Sequence, residues 1–481
     1  MSARTKFLFN LKSAFIAQGI SLITSFAISL LLPRILSVSG YGYWQLFLFY
    51  SSYIGIFYFG LCEGIYLENG GKTWETIDKS EIATKIYLGF FMQVVIACCI
   101  VAYVLFSGDT EGRSFVLLSV AGMVVLSNTY GFLGTLFQAL NETSLYSQAT
   151  AVSRILFLVP LLGLMVLHCT DYRMYTVGYL AAQGVACAIS VWYARGILRA
   201  KLMPVRDVLI SSIRSCKVGI PLLISSYSSM IILGSIRWVC DARFGIEAFS
   251  TLSLGFTMAN FFMLFVNQVS MVLFPALCTV GVHKARELLN PLLWGLTCTL
   301  PLIFLAYCPL ALLIEVWLPS YVPSLEFLPF IIVLCVFNSM MDIAGTSFLK
   351  ALRMERLLLV VNVCAAGLSL LASCAGAWLF NSVYVMLLLV LLVVVVRFLM
   401  SLYLVGIALF RRADTEGSDG EGPDGSIDKK PMITVVFLAA VYLVFATLGN
   451  PVISLIASGI AYALVLVSQR ASIIGALKWL R

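Results

Sequence analysis

Fourteen apolar stretches, each about long enough to cross a bilayer, fill nearly all of this 481-residue chain. Charge is swept largely into the gaps between them. Ser13 to Pro33, Ile86 to Phe106, Ser114 to Leu140, Met174 to Ala194, Pro291 to Ile314 and Leu357 to Phe380 contain no charged side chain. An α-helix rises about 1.5 Å per residue, so about 20 apolar residues cover the roughly 30 Å hydrocarbon core. With 61% hydrophobic and 11% charged residues, the chain has too little charge to surface a soluble domain. The expected fold class is an all-α polytopic membrane protein. Its spans are expected near 13–33, 44–67, 86–106, 114–140, 145–167, 174–194, 218–239, 248–277, 291–314, 327–349, 357–380, 383–410, 432–448 and 452–467.

Lys and Arg resist translocation and so set orientation. If the N-terminus is cytoplasmic, that side collects Arg4, Lys6, Lys12, Lys72, Lys79, Lys85 and the run Arg195, Arg199, Lys201, Arg206, Arg214, Lys217. It also collects Lys284, Arg286, Lys350, Arg353, Arg356, Arg411, Arg412, Lys429, Lys430, Arg470, Lys478 and Arg481. The opposite side keeps only Arg34, Arg113, Arg173, Arg237 and Arg243, which predicts two cytoplasmic termini and an even span count. The net charge of +8 is then a topology signal, dispersed over short loops, and no nucleic-acid partner is implied. Cys98, Cys99, Cys187, Cys298, Cys335, Cys364 and Cys374 lie inside apolar spans and no CxxC pair occurs, so the cysteines read as small buried hydrophobes. Phe7, Leu8, Leu11 and Phe15, with Lys6 and Lys12, suggest an interfacial lead-in to the first span rather than a removable signal peptide.

Arg411 to Lys430, with six carboxylates and four glycines, reads as a solvated linker. It sets twelve spans apart from a terminal pair, giving an N-terminal lobe (1–200), a C-terminal lobe (201–410), the acidic linker (411–431) and an extra helix pair (432–481). The twelve spans read as two copies of six. Gln138-Ala139-Leu140-Asn141 at the end of span 4 matches Lys350-Ala351-Leu352-Arg353 at the end of span 10, with Gly134 and Gly345 shortly before each. Span 1 leaves through Arg34 toward Gly40-Tyr41-Gly42, and span 7 through Arg237 toward Gly245-Ile246-Glu247. Copies with an even number of spans share one orientation, a design in which transporters place substrate between the halves.

No hydrolytic or metal constellation occurs: the two histidines, His168 and His283, fall on opposite faces, and no GxSxG, P-loop or HExxH is present. Neither an enzyme nor a cofactor is expected. The informative residues are charges inside spans, which cost several kcal/mol against lipid and normally face a bundle interior or wet cavity. Arg154 lies about nine residues into span 5, roughly 14 Å deep. Arg397 is near the middle of span 12, Asp342 is about 10 Å inside span 10, and Glu63 is near the end of span 2. Arg34 and Arg237 hold equivalent outer positions in the two copies. In one reading the arginines form a cavity for an anion, since guanidinium forks bind phosphate oxygens bidentately. In the other, Arg154 or Arg397 pairs with Asp342 or Glu63 to fasten helices, and Arg34 and Arg237 snorkel. Glu63 and Asp342 are the candidates for ion or proton coupling. Deep amides such as Asn128, Gln148, Gln183, Asn338 and Asn362 fit either a hydrated cavity or interhelical hydrogen bonds.

The segment Leu30 to Glu81 resembles bacterial oligosaccharide flippases of the Wzx type, in the multidrug/oligosaccharidyl-lipid/polysaccharide (MOP) exporter superfamily. Three features carry the resemblance: Pro33-Arg34 followed by Gly40-Tyr41-Gly42; Gly60-Leu61-Cys62-Glu63-Gly64-Ile65-Tyr66-Leu67 followed by Gly70-Gly71-Lys72; and Gln138-Ala139-Leu140-Asn141-Glu142. It covers about the first 150 residues. It implies a bacterial inner-membrane protein that flips undecaprenyl-pyrophosphate-linked oligosaccharide outward for O-antigen, capsule or exopolysaccharide assembly. The implied partners are that substrate and membrane lipids, with polysaccharide polymerase and glycosyltransferases nearby in the pathway, and a monomer is expected. Glu63 stands where relatives carry an acidic residue, whereas Arg154 and Arg397 match the family's cationic cavities in character only. Glu68-Asn69 departs from the family's basic-aromatic pair. A cation-coupled multidrug exporter, a lipid II flippase and, from another class, a membrane polysaccharide polymerase or ligase are the rival readings.

Overall fold

The computed structural model describes residues 3–415 and 428–470. The chain runs through α1 (Ala3–Ile35), α2 (Val38–Tyr53), α3 (Leu61–Asn69), α4 (Lys79–Ser107), α5 (Glu111–Ala139), α6 (Thr143–Val166), α7 (Tyr172–Leu198) and α8 (Val205–Thr299). It continues through α9 (Tyr307–Trp317), α10 (Leu328–Met340), α11 (Ser347–Ala351), α12 (Glu355–Cys374), α13 (Val383–Thr415), α14 (Lys430–Ala446) and α15 (Pro451–Ser468). The described residues are helical throughout with short connections, so the all-α membrane architecture holds. Two compact units emerge, Met1–Tyr227 and Ser228–Arg481, with the division inside α8. In the first unit α1 packs on α6, α6 on α7, and α5 on both α4 and α7; in the second, α12 packs on α13 and α14 on α15.

Eleven described helices are long and apolar enough to span a membrane, or twelve if α2 and α3 form one span bent by 61°. The expected fourteen separate spans are not reproduced as such, for identifiable reasons. Spans 7 and 8 fall in the single helical run of α8, of which Val205–Met263 alone is 59 residues. That length would rise about 90 Å, some three bilayer cores. Gly245, at φ +83°, interrupts the run, because a left-handed residue cannot continue a right-handed helix. Helix α14, at 17 residues, is a shorter apolar helix. Most of the acidic linker, including 416–427, lies outside the described residues.

Side chains fix where helices begin. Ser37 accepts from the Gly40 amide (3.1 Å), Asp78 from those of Ser80 and Glu81 (2.9 and 3.1 Å), and Asn450 from Val452 and Ile453 (3.0 and 3.3 Å). The two copies of the repeat stop their fourth helix identically. Asn141 N–H donates to Gln138 O and Glu142 N–H to Phe137 O (3.1 and 2.7 Å); Arg353 N–H donates to Lys350 O and Met354 N–H to Leu349 O (both 2.9 Å). Asn141 and Arg353 are both left-handed, at φ 57° and 54°. Gly40, by contrast, lies in the first turn of α2, so the proposed match between Gly40 and Gly245 is not conformational.

Candidate functional site

Arg397, on α13, is only 3% exposed, and each of its three guanidinium nitrogens donates to a neutral acceptor. Nε and Nη2 donate to Asn362 Oδ1 (3.2 and 2.9 Å), Nη1 to Asn338 Oδ1 (3.2 Å), and Nη2 also to Ser229 Oγ (3.3 Å). Asn338 in turn donates through Nδ2 to Asp342 Oδ2 (3.2 Å), so one amide relays between the cation and the acid. Asp342 stands in a π-helical turn, Met341–Thr346, whose widened backbone leaves the Asp342 carbonyl to accept from Ser347 Oγ (3.0 Å). Arg397 therefore lies in a packed polar knot of the second unit, joined to Asp342 through Asn338. Arg237 is also engaged: Nε donates to Ser253 Oγ (3.2 Å) and the guanidinium lies 5.2 Å from the Phe249 ring centroid.

Arg154, on α6 of the first unit, is different. It is half-buried, its Nε is shielded, and among the described residues it has no hydrogen-bond or ion-pair partner. One turn earlier on the same helix, Thr150 is hydrogen-bonded to the Tyr130 hydroxyl, and the Tyr130 ring stacks on Tyr146 (centroids 5.2 Å apart, planes at 29°). The guanidinium thus sits beside a fixed aromatic and hydroxyl wall with its own fork uncommitted. Glu63, in the first turn of α3, is half-buried with Oε2 shielded and without a hydrogen-bond partner. The helix N-terminus supplies positive potential to that carboxylate. Within the first unit no ion pair joins Glu63 to Arg154 among the described residues. Arg34 is exposed in the last turn of α1.

Several of the deep amides bond to the backbone or to each other. The α2–α3 break passes through a 3₁₀ turn, Ile54–Tyr58, and two left-handed residues, Phe59 and Gly60. Broken helices at membrane depth need their freed carbonyls satisfied. Asn128 donates to Ile54 O (3.0 Å) and to Gln93 Oε1 (2.7 Å), while Gln93 donates to Phe57 O (3.2 Å). Gln148 accepts from Tyr193 Oη (3.0 Å), and Gln183 donates to Tyr179 Oη (3.3 Å).

Two features were not identified from the sequence. Lys85 is 2% exposed and bridges Glu81 (2.7 Å), Glu68 (3.5 Å) and Ser215 Oγ (2.8 Å), and Ser215 also donates to Glu68 (2.6 Å). The i,i+4 spacing of Glu81 and Lys85 was the available signal. Gly60 and Gly64 lie against the backbone of Ser215, Gly219 and Ile220, where any Cβ would overlap main-chain atoms. This close approach of small residues gives the Gly60–Gly64 motif a physical role and locks the start of α8 onto α3 within the first unit.

No protein-family model matches the sequence, and no curated protein does. Solved structures do share the fold. The lipid II flippase MurJ in an inward closed conformation is 10% identical, with a TM-score of 0.61 over 97% of this chain and 100% of that one. An inward-facing multidrug resistance MATE family transporter of the MOP superfamily is 12% identical, with a TM-score of 0.60 over 82% of this chain and 100% of that one. A MOP superfamily transporter from Pyrococcus furiosus, described as having a binding pocket of reverse polarity, is 10% identical, with a TM-score of 0.51 over 86% and 97%. The chain thus has the fold of MOP superfamily transporters and is a multi-pass membrane protein.

Proposed function

We propose that this protein is a flippase for lipid-linked oligosaccharide, moving undecaprenyl-pyrophosphate-linked glycan across the cytoplasmic membrane for surface polysaccharide assembly. The observation that carries the reading is Arg154: a half-buried guanidinium at membrane depth whose shielded Nε has no hydrogen-bond partner among the described residues. A desolvated, unpaired charge of this kind is costly, and an anionic ligand offsets the cost while the fork supplies two-point recognition of a phosphate. The MurJ-like fold over nearly the whole chain and the resemblance of Leu30 to Glu81 to Wzx-type flippases support the same substrate class. In this reading Arg154 holds the diphosphate, Tyr130 and Thr150 back it, and Arg397 with Asp342 serves the framework of the second unit.

The test is translocation by purified protein in vesicles carrying undecaprenyl-pyrophosphate oligosaccharide, read as glycan reached by an impermeant glycosidase added outside. Protein-dependent access that is lost in Arg154→Ala is expected. Equal access with and without protein overturns the proposal.

A second reading, a cation-coupled multidrug exporter, draws on the fold shared with the MATE transporter and on the half-buried Glu63 carboxylate, whose shielded Oε2 has no hydrogen-bond partner among the described residues. Ion-gradient-driven ethidium transport abolished by Glu63→Gln, with no glycan movement, would select it.

A further inference from the structure

The start of α8 is amphipathic the wrong way round for a water-soluble helix. Val208, Ser212, Ser215 and Gly219, spaced 4, 3 and 4 residues apart and so on one face, are buried. The opposite face carries Leu209, Ile210 and Ile213, which are 43%, 53% and 56% exposed, interleaved with exposed Arg206, Arg214 and Lys217. Apart from Val208, small and polar groups thus face the protein, while branched apolar groups and cations face out. The preceding helix end continues the pattern: Arg195, Arg199 and Lys201 are exposed, and Arg195 lies 4.5 Å over the ring of Trp192, itself 56% exposed. Among the described residues none of these six cations is ion-paired. Between residues 195 and 217 the only carboxylate is Asp207.

We infer that this face, from the end of α7 through the first turns of α8, binds anionic phospholipid. Apolar side chains and an exposed indole at the same level as unpaired cations match the boundary between acyl chain and headgroup. A phosphodiester headgroup supplies the charge that Asp207 alone leaves unbalanced, and each basic side chain at an anionic membrane surface contributes about fivefold in affinity. The site lies outside the Arg154 region, and the inference does not depend on the flippase reading.

The experiment is native mass spectrometry of the intact protein in nonionic detergent, titrated with phosphatidylglycerol or phosphatidylcholine. Wild type should bind phosphatidylglycerol at least about tenfold more tightly, and about 0.5 M salt should shrink that preference. The triple variant Arg206→Gln, Arg214→Gln, Lys217→Gln should lose it, whereas Arg206→Lys with Arg214→Lys should keep it. Equal binding of the two lipids by wild type, or an unchanged preference in a folded triple glutamine variant, overturns the inference. So does a wild type that ignores both lipids and retains only acidic soluble protein, which would make the face a protein-docking surface. If the glutamine variant fails to fold, the lipid and salt comparison on wild type decides alone.

Discussion

Arg397 and Arg154 are the same residue type at similar depth in apolar spans, yet their surroundings differ in kind. Around Arg397 two asparagines and a serine take up the guanidinium donors, with Asp342 one hydrogen bond farther on. Around Arg154 the neighbouring Tyr130 and Thr150 bond to each other, and among the described residues the shielded Arg154 Nε has no hydrogen-bond partner. A saturated buried charge contributes to one arrangement of helices, since removing it strands its acceptors. An unsaturated one is a poor fastener and a good receptor. Intramembrane arginine by itself therefore does not mark a binding site; the count of committed donors separates the two roles.

The sharpest way to break that contrast is to delete each charge and read stability and transport separately. Arg397→Leu should cost about 3 kcal/mol or more, by stranding Asn338, Asn362 and Asp342 in a dry interior. It should appear as a large drop in melting temperature or loss of detergent-stable protein. Arg154→Ala should leave the melting temperature nearly unchanged while cutting glycan translocation by about tenfold or more, and Arg154→Lys should fall between, keeping charge without the fork. If Arg154→Ala unfolds the protein and Arg397→Leu does not, the assignment of roles is reversed.

A smaller effect tests whether deep amides belong with the saturated class. Asn128→Leu should cost about 1–3 kcal/mol because the Ile54 carbonyl and Gln93 both lose a partner, and thermal unfolding in detergent should show it. A neutral outcome would return Asn128 to the cavity wall. Smallest is the repeat's helix stop: Arg353→Gly relieves a left-handed arginine and should stabilise by about 0.5–1 kcal/mol, whereas Asn141→Gly should gain less because asparagine tolerates that conformation. Destabilisation by Arg353→Gly would mean that the arginine side chain contributes more than its backbone strain removes.

What could be read in the sequence was what is local. Span positions follow from runs of apolar residues, and the shared stop at Asn141 and Arg353 follows from four-residue matches, because a helix end is decided by its own few residues. The partners of Arg397 lie 35 and 59 residues away in sequence for Asn362 and Asn338, and Gln93 is 35 from Asn128, so packing alone brings them together. Hydropathy cannot resolve which face an asparagine presents. The Gly60–Gly64 pair was visible as a motif, but its reason was not, since the opposing surface belongs to Ser215 and Gly219, some 150 residues on.

That glycine contact also sets how the protein can change under mutation. Where Gly60 and Gly64 meet Ser215 and Gly219, main chain rests on main chain with no side chain between to shorten, lengthen or re-aim. A joint of that sort offers no gradual adjustment: it is seated or it is lost. Drift in this part of the chain is then channelled to the outward face of α8, where each position can vary by itself, while the inward face is held to the smallest residues by a neighbour it cannot push aside.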